Sequence, residues 1–302
     1  MFKMLNSGMN FIRKFIPSLS ALLHLRLLFS VFLLPVFLFA LSQATDIRLF
    51  DAILTFVIWH LLVYPASNGY NSYFDKDEGS IALIEKPPAV DKSLYYFSLL
   101  LDAIALVLTF FVGWILFWAV LIYGVISKMY SHPRFRFKKY PIISFLIVFI
   151  FQGAFIYWST YASIGNFSFF EDWDFNFILA GLISSCLIGA TYPLTQIYQH
   201  AEDLKRGDTT LSIVLGIRGS FYFSAILFLL SGILVYFYWE SVGLSDYFWL
   251  FLFISSPVLV LFIKWFYAVY KDPAEANFKN MSRMTLISSI MMLIYFGILA
   301  FT

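Results

Sequence analysis

The chain has 302 residues, of which 61% are hydrophobic, 21% aromatic and only 13% charged, with a formal net charge of +2. A soluble domain carries about 25% charged residues, so a water-soluble globule is excluded. The single cysteine, Cys186, excludes an internal disulfide, and nothing in the charge points to nucleic acid.

Apolar runs of membrane-crossing length, about 17–25 residues, occur at 27–44, 51–67, 94–112, 114–129, 142–164, 175–198, 219–239, 246–267 and 282–301. The expectation is an all-α polytopic membrane protein, one domain over 1–302, with about nine transmembrane helices around a central cavity. Segment 1–26 is basic and is expected to be a cytoplasmic leader without a cleavable signal. Spans three and four meet at Gly113-Trp114, and span two runs straight into a polar cluster.

Charge sets the orientation. Lys and Arg gather before span one and after spans two, four, six and eight. The segments 165–174 and 240–246 hold acids and no Lys or Arg. The positive-inside rule places the N-terminus in the cytoplasm and the C-terminus outside. The loops at 68–92, 128–141 and 199–218 are then cytoplasmic, in a chain expected in the cell (inner) membrane.

Two polar clusters share a pattern. Asn68, Tyr70, Asn71 and Asp75 follow span two, and Gln196, Tyr198, Gln199 and Asp203 end span six. In each, an amide, a second amide at i+3 and an aspartate at i+7 fall on one face of a helix. Their recurrence four spans apart hints at an internal four-helix repeat. Asp77, Glu78, Glu202 and Asp208 add carboxylates nearby. Hard oxygen donors suit Mg²⁺, which takes one or two protein carboxylates and completes its octahedron with water and phosphate oxygens. A solvated helix end is the plainer reading of either cluster alone, and the matched pair weighs against it.

Between spans four and five, Arg134, Arg136 and Lys138 alternate with Phe. In an extended segment these charges share one face, and such cations hold phosphate. An ordinary positive-inside loop is the bland alternative. Asp102 lies within span three, where a carboxylate is costly in lipid. It should face inward, protonated or paired with Gln152 or His60. His60, Tyr64, Asn68 and Gln196 are expected to line the same cavity.

These residues resemble the UbiA superfamily of intramembrane prenyltransferases. Asn71-Ser-Tyr-Phe-Asp75 resembles the start of its first acidic motif, and Asp203 through Gly207, with Thr210, Leu211, Leu215 and Gly216, resembles the end of its second. Tyr130, Ser131, Pro133, Arg136 and Lys138 resemble its basic loop segment, and Lys86-Pro87 stands where many members have Arg-Pro. The resemblance implies transfer of an isoprenyl group from an isoprenyl diphosphate donor to a hydrophobic, often aromatic acceptor in the bilayer. This is prenyl transfer, of alkyl or aryl groups other than methyl. It implies Mg²⁺ at Asp75, Asp77 and Asp203, assisted by Asn71 and Gln199, with Asp75 and Asp203 as the catalytic acids. It further implies that Asn71, Lys86, Arg136, Lys138 and Lys205 hold the diphosphate.

The chain departs from the pattern twice. Gly79 and Gln199 occupy positions where the family has aspartate. The alternatives are therefore a catalytically impaired member, acting as an isoprenoid-binding or partner protein, and a secondary transporter.

Overall fold

The computed structural model describes residues 15–76, 79–81, 84–168 and 173–302. Among them the regular structure is helical, apart from one isolated bridge between Ile81 and Ile84. Among the described residues eight helices are long and apolar enough to cross a membrane, nine if a bent pair counts as one span. That pair is the first predicted span. It begins at Leu19 rather than residue 27 and comprises α1 (Leu19–His24), α2 (Leu27–Val31) and α3 (Leu34–Gln43), with a 42° bend before α3. Pro35 sits in the first turn of α3, where its missing N–H costs nothing.

The second span, α4 (Leu49–Asp75), is longer than predicted because the helix runs on through the first polar cluster. Its middle, Val57–Val63, is a π-helix. The remaining elements are α5 (Lys92–Thr109), α6 (Trp114–Ser131), α7 (Pro141–Ile164), α8 (Phe175–Thr191), α9 (His200–Arg206), α10 (Leu211–Ser241), α11 (Asp246–Lys271) and α12 (Phe278–Phe301).

The chain forms two compact units. The first takes Met1–Ser30 and Ile53–Arg136, and the second takes Val31–Ala52 and Phe137–Thr302. In a bilayer, lipid tails are as apolar as leucine, so helices associate by close van der Waals packing and small residues allow it. In the first unit α4 lies against α5 at Gly69. A Cβ there would run into Ser98 Oγ and come within 2.9 Å of Leu94 Cδ1. Ala21, Leu25, Ala66, Leu94 and Leu101 fill the adjoining core, which packs α1 into the unit.

In the second unit Phe39 of α3 packs its ring 5.0 Å from Tyr157 of α7 and 4.8 Å from Phe296 of α12. A π-helical turn at Ile150–Ala154 interrupts α7. There Gly153 lets the backbone approach Ser185 of α8, whose Oγ accepts from the Ala154 N–H at 2.9 Å. Phe221 is wholly buried among Phe262, Trp265 and Phe266, with ring centroids 4.9–5.6 Å away.

Replacing Gly69 by valine should overpack the α4–α5 contact at a cost of about 1–3 kcal/mol. The expected result is a melting temperature several degrees lower in detergent. An unchanged value would mean that the two helices do not approach this closely.

Candidate functional site

Each compact unit carries one of the two polar clusters, and each is built differently. In the first unit Asn68, Asn71 and Asp75 lie on the continuous last segment of α4, Tyr64–Asp75, so the predicted shared face is present. The helix stops at Asp75 because Lys76 turns left-handed (φ 49°) and donates its N–H to Ser72 O at 3.0 Å.

A residue that sequence reasoning counted only as one more N-terminal charge organises this face. Arg26 occupies the break between α1 and α2 with φ 50°. Its Nη2 donates to Asn68 O at 3.2 Å, Asn71 Oδ1 at 3.2 Å and Ser72 Oγ at 3.0 Å. Asn68 Nδ2 returns a bond to Leu25 O at 3.3 Å. On its other end Asn71 donates Nδ2 to Ser131 Oγ at 2.9 Å. The Asn71 amide is thus engaged at both ends and holds α4 in register with the end of α6.

Asp75 is half-buried, while Lys86 is exposed. The predicted metal ligand Asp77, with Glu78, lies outside the described residues. The chain beyond returns to α1, with Ser20 Oγ donating to Ala89 O at 2.7 Å and His24 Nε2 lying 2.8 Å from Pro88 O.

Deeper along α4, His60 and Tyr64 are both buried. His60 Nδ1 lies 3.0 Å from Ser30 O, and its ring stacks on Phe56 with centroids 5.0 Å apart. Tyr64 meets His60 edge-on at 5.1 Å. Asp102 does not pair with Gln152 or His60 as predicted. Its Oδ2 is 2.6 Å from Lys128 Nζ of α6.

The second cluster departs from the predicted single helical face. Pro193 cannot donate to the helical ladder, and α8 gives way to a short 3₁₀ turn, Pro193–Thr195. Gln196 and Gln199 lie in the turn that follows, and only Asp203 stands on a helix, α9. Gln196 is buried, and its Oε1 accepts from Ser212 N at 3.4 Å. Gln199 starts α9, its backbone oxygen accepting from the N–H groups of Glu202 and Asp203, both at 2.9 Å. Asp203 is 9% exposed, and Lys205 points to the surface. Glu202 pairs with Arg206 one turn on, which turns it away from the role of a replacement acid.

The basic loop is not extended. After a turn at 133–135, Arg136 takes φ 45°, and Phe137–Lys139 form a 3₁₀ turn. The charges therefore separate: Arg134 is exposed, Arg136 is half-buried and Lys138 is buried. Lys138 Nζ lies 3.6 Å from Asp208 Oδ2, and Thr209 N–H donates to Lys139 O at 3.4 Å. Within the second unit the basic loop thus meets the loop that leaves Asp203. That loop is shaped by left-handed Gly207 (φ 74°), which ends α9, and by Gly216 (φ 69°), which breaks α10. His200 Nε2 lies 2.7 Å from Ser212 Oγ, which also accepts from Ser220 Oγ at 3.0 Å. Among the described residues no three His, Cys, Asp or Glu side chains gather as a metal-binding group.

Burial lowers the pKa of His200 below its ordinary value. The neutral ring is the folded form, so its stabilising contribution is complete above about pH 6.5 and lost as pH falls through the lowered value. Replacing His200 with glutamine should flatten the pH dependence of melting between pH 8 and 5. Identical pH profiles for the two proteins would contradict this.

The model of the UbiA prenyltransferase family matches residues 27–290 of the chain. No curated protein sequence matches it significantly. Among solved structures, a UbiA homolog from Archaeoglobus fulgidus bound to GPP and Mg²⁺ is similar with TM-score 0.67 and 16% identity, covering 94% of this chain and 100% of the other. The same homolog bound to DMAPP and Mg²⁺ gives TM-score 0.66 at 16% identity, with coverage of 94% and 100%. A structure described for digeranylgeranylglyceryl phosphate synthase gives 0.59 at 19% identity, covering 93% and 96%. At such identities the likeness is one of fold.

Proposed function

Because the chain belongs to the UbiA prenyltransferase family, we propose that it transfers an isoprenyl group from an isoprenyl diphosphate to a hydrophobic acceptor within the membrane. The observation that carries this reading is the meeting of Lys138 with Asp208 beside Asp203, which brings the lysine proposed to hold phosphate and the second acidic motif into one loop system. The structures of the Archaeoglobus homolog with GPP or DMAPP and Mg²⁺ support an isoprenyl diphosphate as the donor. The distribution of Lys and Arg supports cytoplasmic motif loops in a cell membrane, with the whole chain acting as one domain.

The donors fit Mg²⁺ in kind: all are oxygens, and that ion needs only one or two carboxylates when phosphate supplies the rest. Asp75 and Asp203 are the proposed ligands, with Asp77 as a further candidate and Asn71 and Gln199 as amide donors. Bound Mg²⁺ supplies charge neutralisation of the leaving diphosphate. Lys138, Arg136, Lys86 and Lys205 are the proposed phosphate cations. Lys138 is the best held, its buried ammonium lying 3.6 Å from the Asp208 carboxylate. As the allylic C–O bond breaks, these cations stabilise the charge gathering on diphosphate. The acceptor's electron pair forms the new C–C or C–O bond, its proton departs, and diphosphate leaves. The chain's 37 Phe and 19 Tyr offer ring faces that suit a transient allylic cation.

A second reading, a member that binds the donor without turning it over, rests on the second motif. Gln199 is neutral, and Glu202 is committed to Arg206. Release of inorganic diphosphate from geranyl diphosphate separates the readings, and binding of geranyl thiodiphosphate to purified protein tests the site that both share. Wild type should bind only with Mg²⁺, and Asp75→Asn or Asp203→Asn should weaken binding by about tenfold or more, the loss of one charge-assisted contact. Gln199→Asp should tighten Mg²⁺ binding about three- to tenfold. Asp variants that bind like wild type would overturn the proposed metal ligands.

A further inference from the structure

We propose that Lys128 is a positioning residue for the first acidic motif, acting through the ring of Tyr70, and that Asp102 holds it there. This rests on the reading of that motif as a diphosphate site.

Asp102 lies in the middle of α5, and Lys128 lies near the end of α6. Their side chains are 19% and 18% exposed, and the ion pair spans 2.6 Å. Neither belongs to the motifs on which the family resemblance rests. A pair of well-packed apolar side chains would join two membrane helices as well, since a buried ion pair recovers little beyond its desolvation cost. Retaining the charges makes physical sense if something uses one of them.

The user is on α4. Lys128 Nζ stands 5.0 Å from the centre of the Tyr70 ring, within the range where the negative face of an aromatic ring attracts a cation. Tyr70 is buried and precedes Asn71 directly. Its ring also packs 4.9 Å from Phe74 and 5.9 Å from Tyr95 of α5. An ammonium held over that ring resists rotation of the helix end. Rotation there would swing Asn71 off Ser131 and re-aim Asp75. Without Asp102 the ammonium would leave for the aqueous boundary, as long cationic side chains near helix ends do.

The test compares binding of geranyl thiodiphosphate with Mg²⁺, together with melting temperature, across six variants. Tyr70→Phe keeps the ring and should bind like wild type. Tyr70→Leu and Lys128→Met should each weaken binding about fivefold, and the double variant should be no worse than either alone. Asp102→Asn should weaken binding in the same direction. The apolar pair Asp102→Leu/Lys128→Leu should keep its melting temperature yet bind about fivefold more weakly, which a purely structural ion pair would not produce.

Multiplying losses in the double variant, or wild-type binding by the apolar pair, would overturn the proposal. If wild-type protein fails to bind the analogue at all, the donor reading falls instead. The coupling is then read from melting temperatures, where additive losses for Tyr70→Leu and Lys128→Met overturn the pinning.

Discussion

A helix that leaves an apolar stretch and ends in polar side chains has to satisfy those side chains with neighbours, and α4 shows what that requires. Asn71 is bonded on one side by Arg26 and on the other by Ser131. One amide thereby ties the N-terminal helix break, the first acidic motif and the end of α6 to each other. Asp75 inherits its place from that bracing, because it is the last helical residue before the chain turns left-handed at Lys76. The position of Asp75 depends on geometry set one turn earlier at Asn71 by Arg26 and Ser131.

The second motif reaches a comparable end by other means. A proline-started 3₁₀ turn, two left-handed glycines and the His200–Ser212–Ser220 chain fold a loop around Asp203. The loss of an acid at Gln199 is therefore not a gap in a helical row, because no such row exists there. Gln199 is placed by the start of α9, where its backbone oxygen accepts the first bonds of the helix. Lys138 brings a cation to Asp208 in the same loop system.

Much of this was legible in the chain. Hydropathy located the spans, since a membrane leaves a strong compositional record, and the i, i+3, i+7 spacing located the face of α4. The same spacing misled at Gln196, Gln199 and Asp203, because Pro193 interrupts the helix before the pattern begins. Alternating charge in the basic loop misled similarly: Arg136 adopts a left-handed backbone that no periodicity announces. Arg26 and the Asp102–Lys128 pair were invisible for a different reason. Their partners lie tens of residues away in sequence, and long-range pairing leaves no local signature. The ammonium of Lys128 is displaced from its apparent role as a topology charge once Asp102 and Tyr70 are seen beside it.

The central claim is that the two acidic motifs serve metal-dependent cleavage of an isoprenyl diphosphate. It is tested most directly by following radiolabelled geranylgeranyl diphosphate with purified protein in vesicles of total membrane lipid extract, with Mg²⁺ or with chelator. Inorganic diphosphate should be released together with label in a nonpolar product, in Mg²⁺ alone. Label that remains as diphosphate in both conditions, while the protein binds it equally well with chelator present, would contradict it.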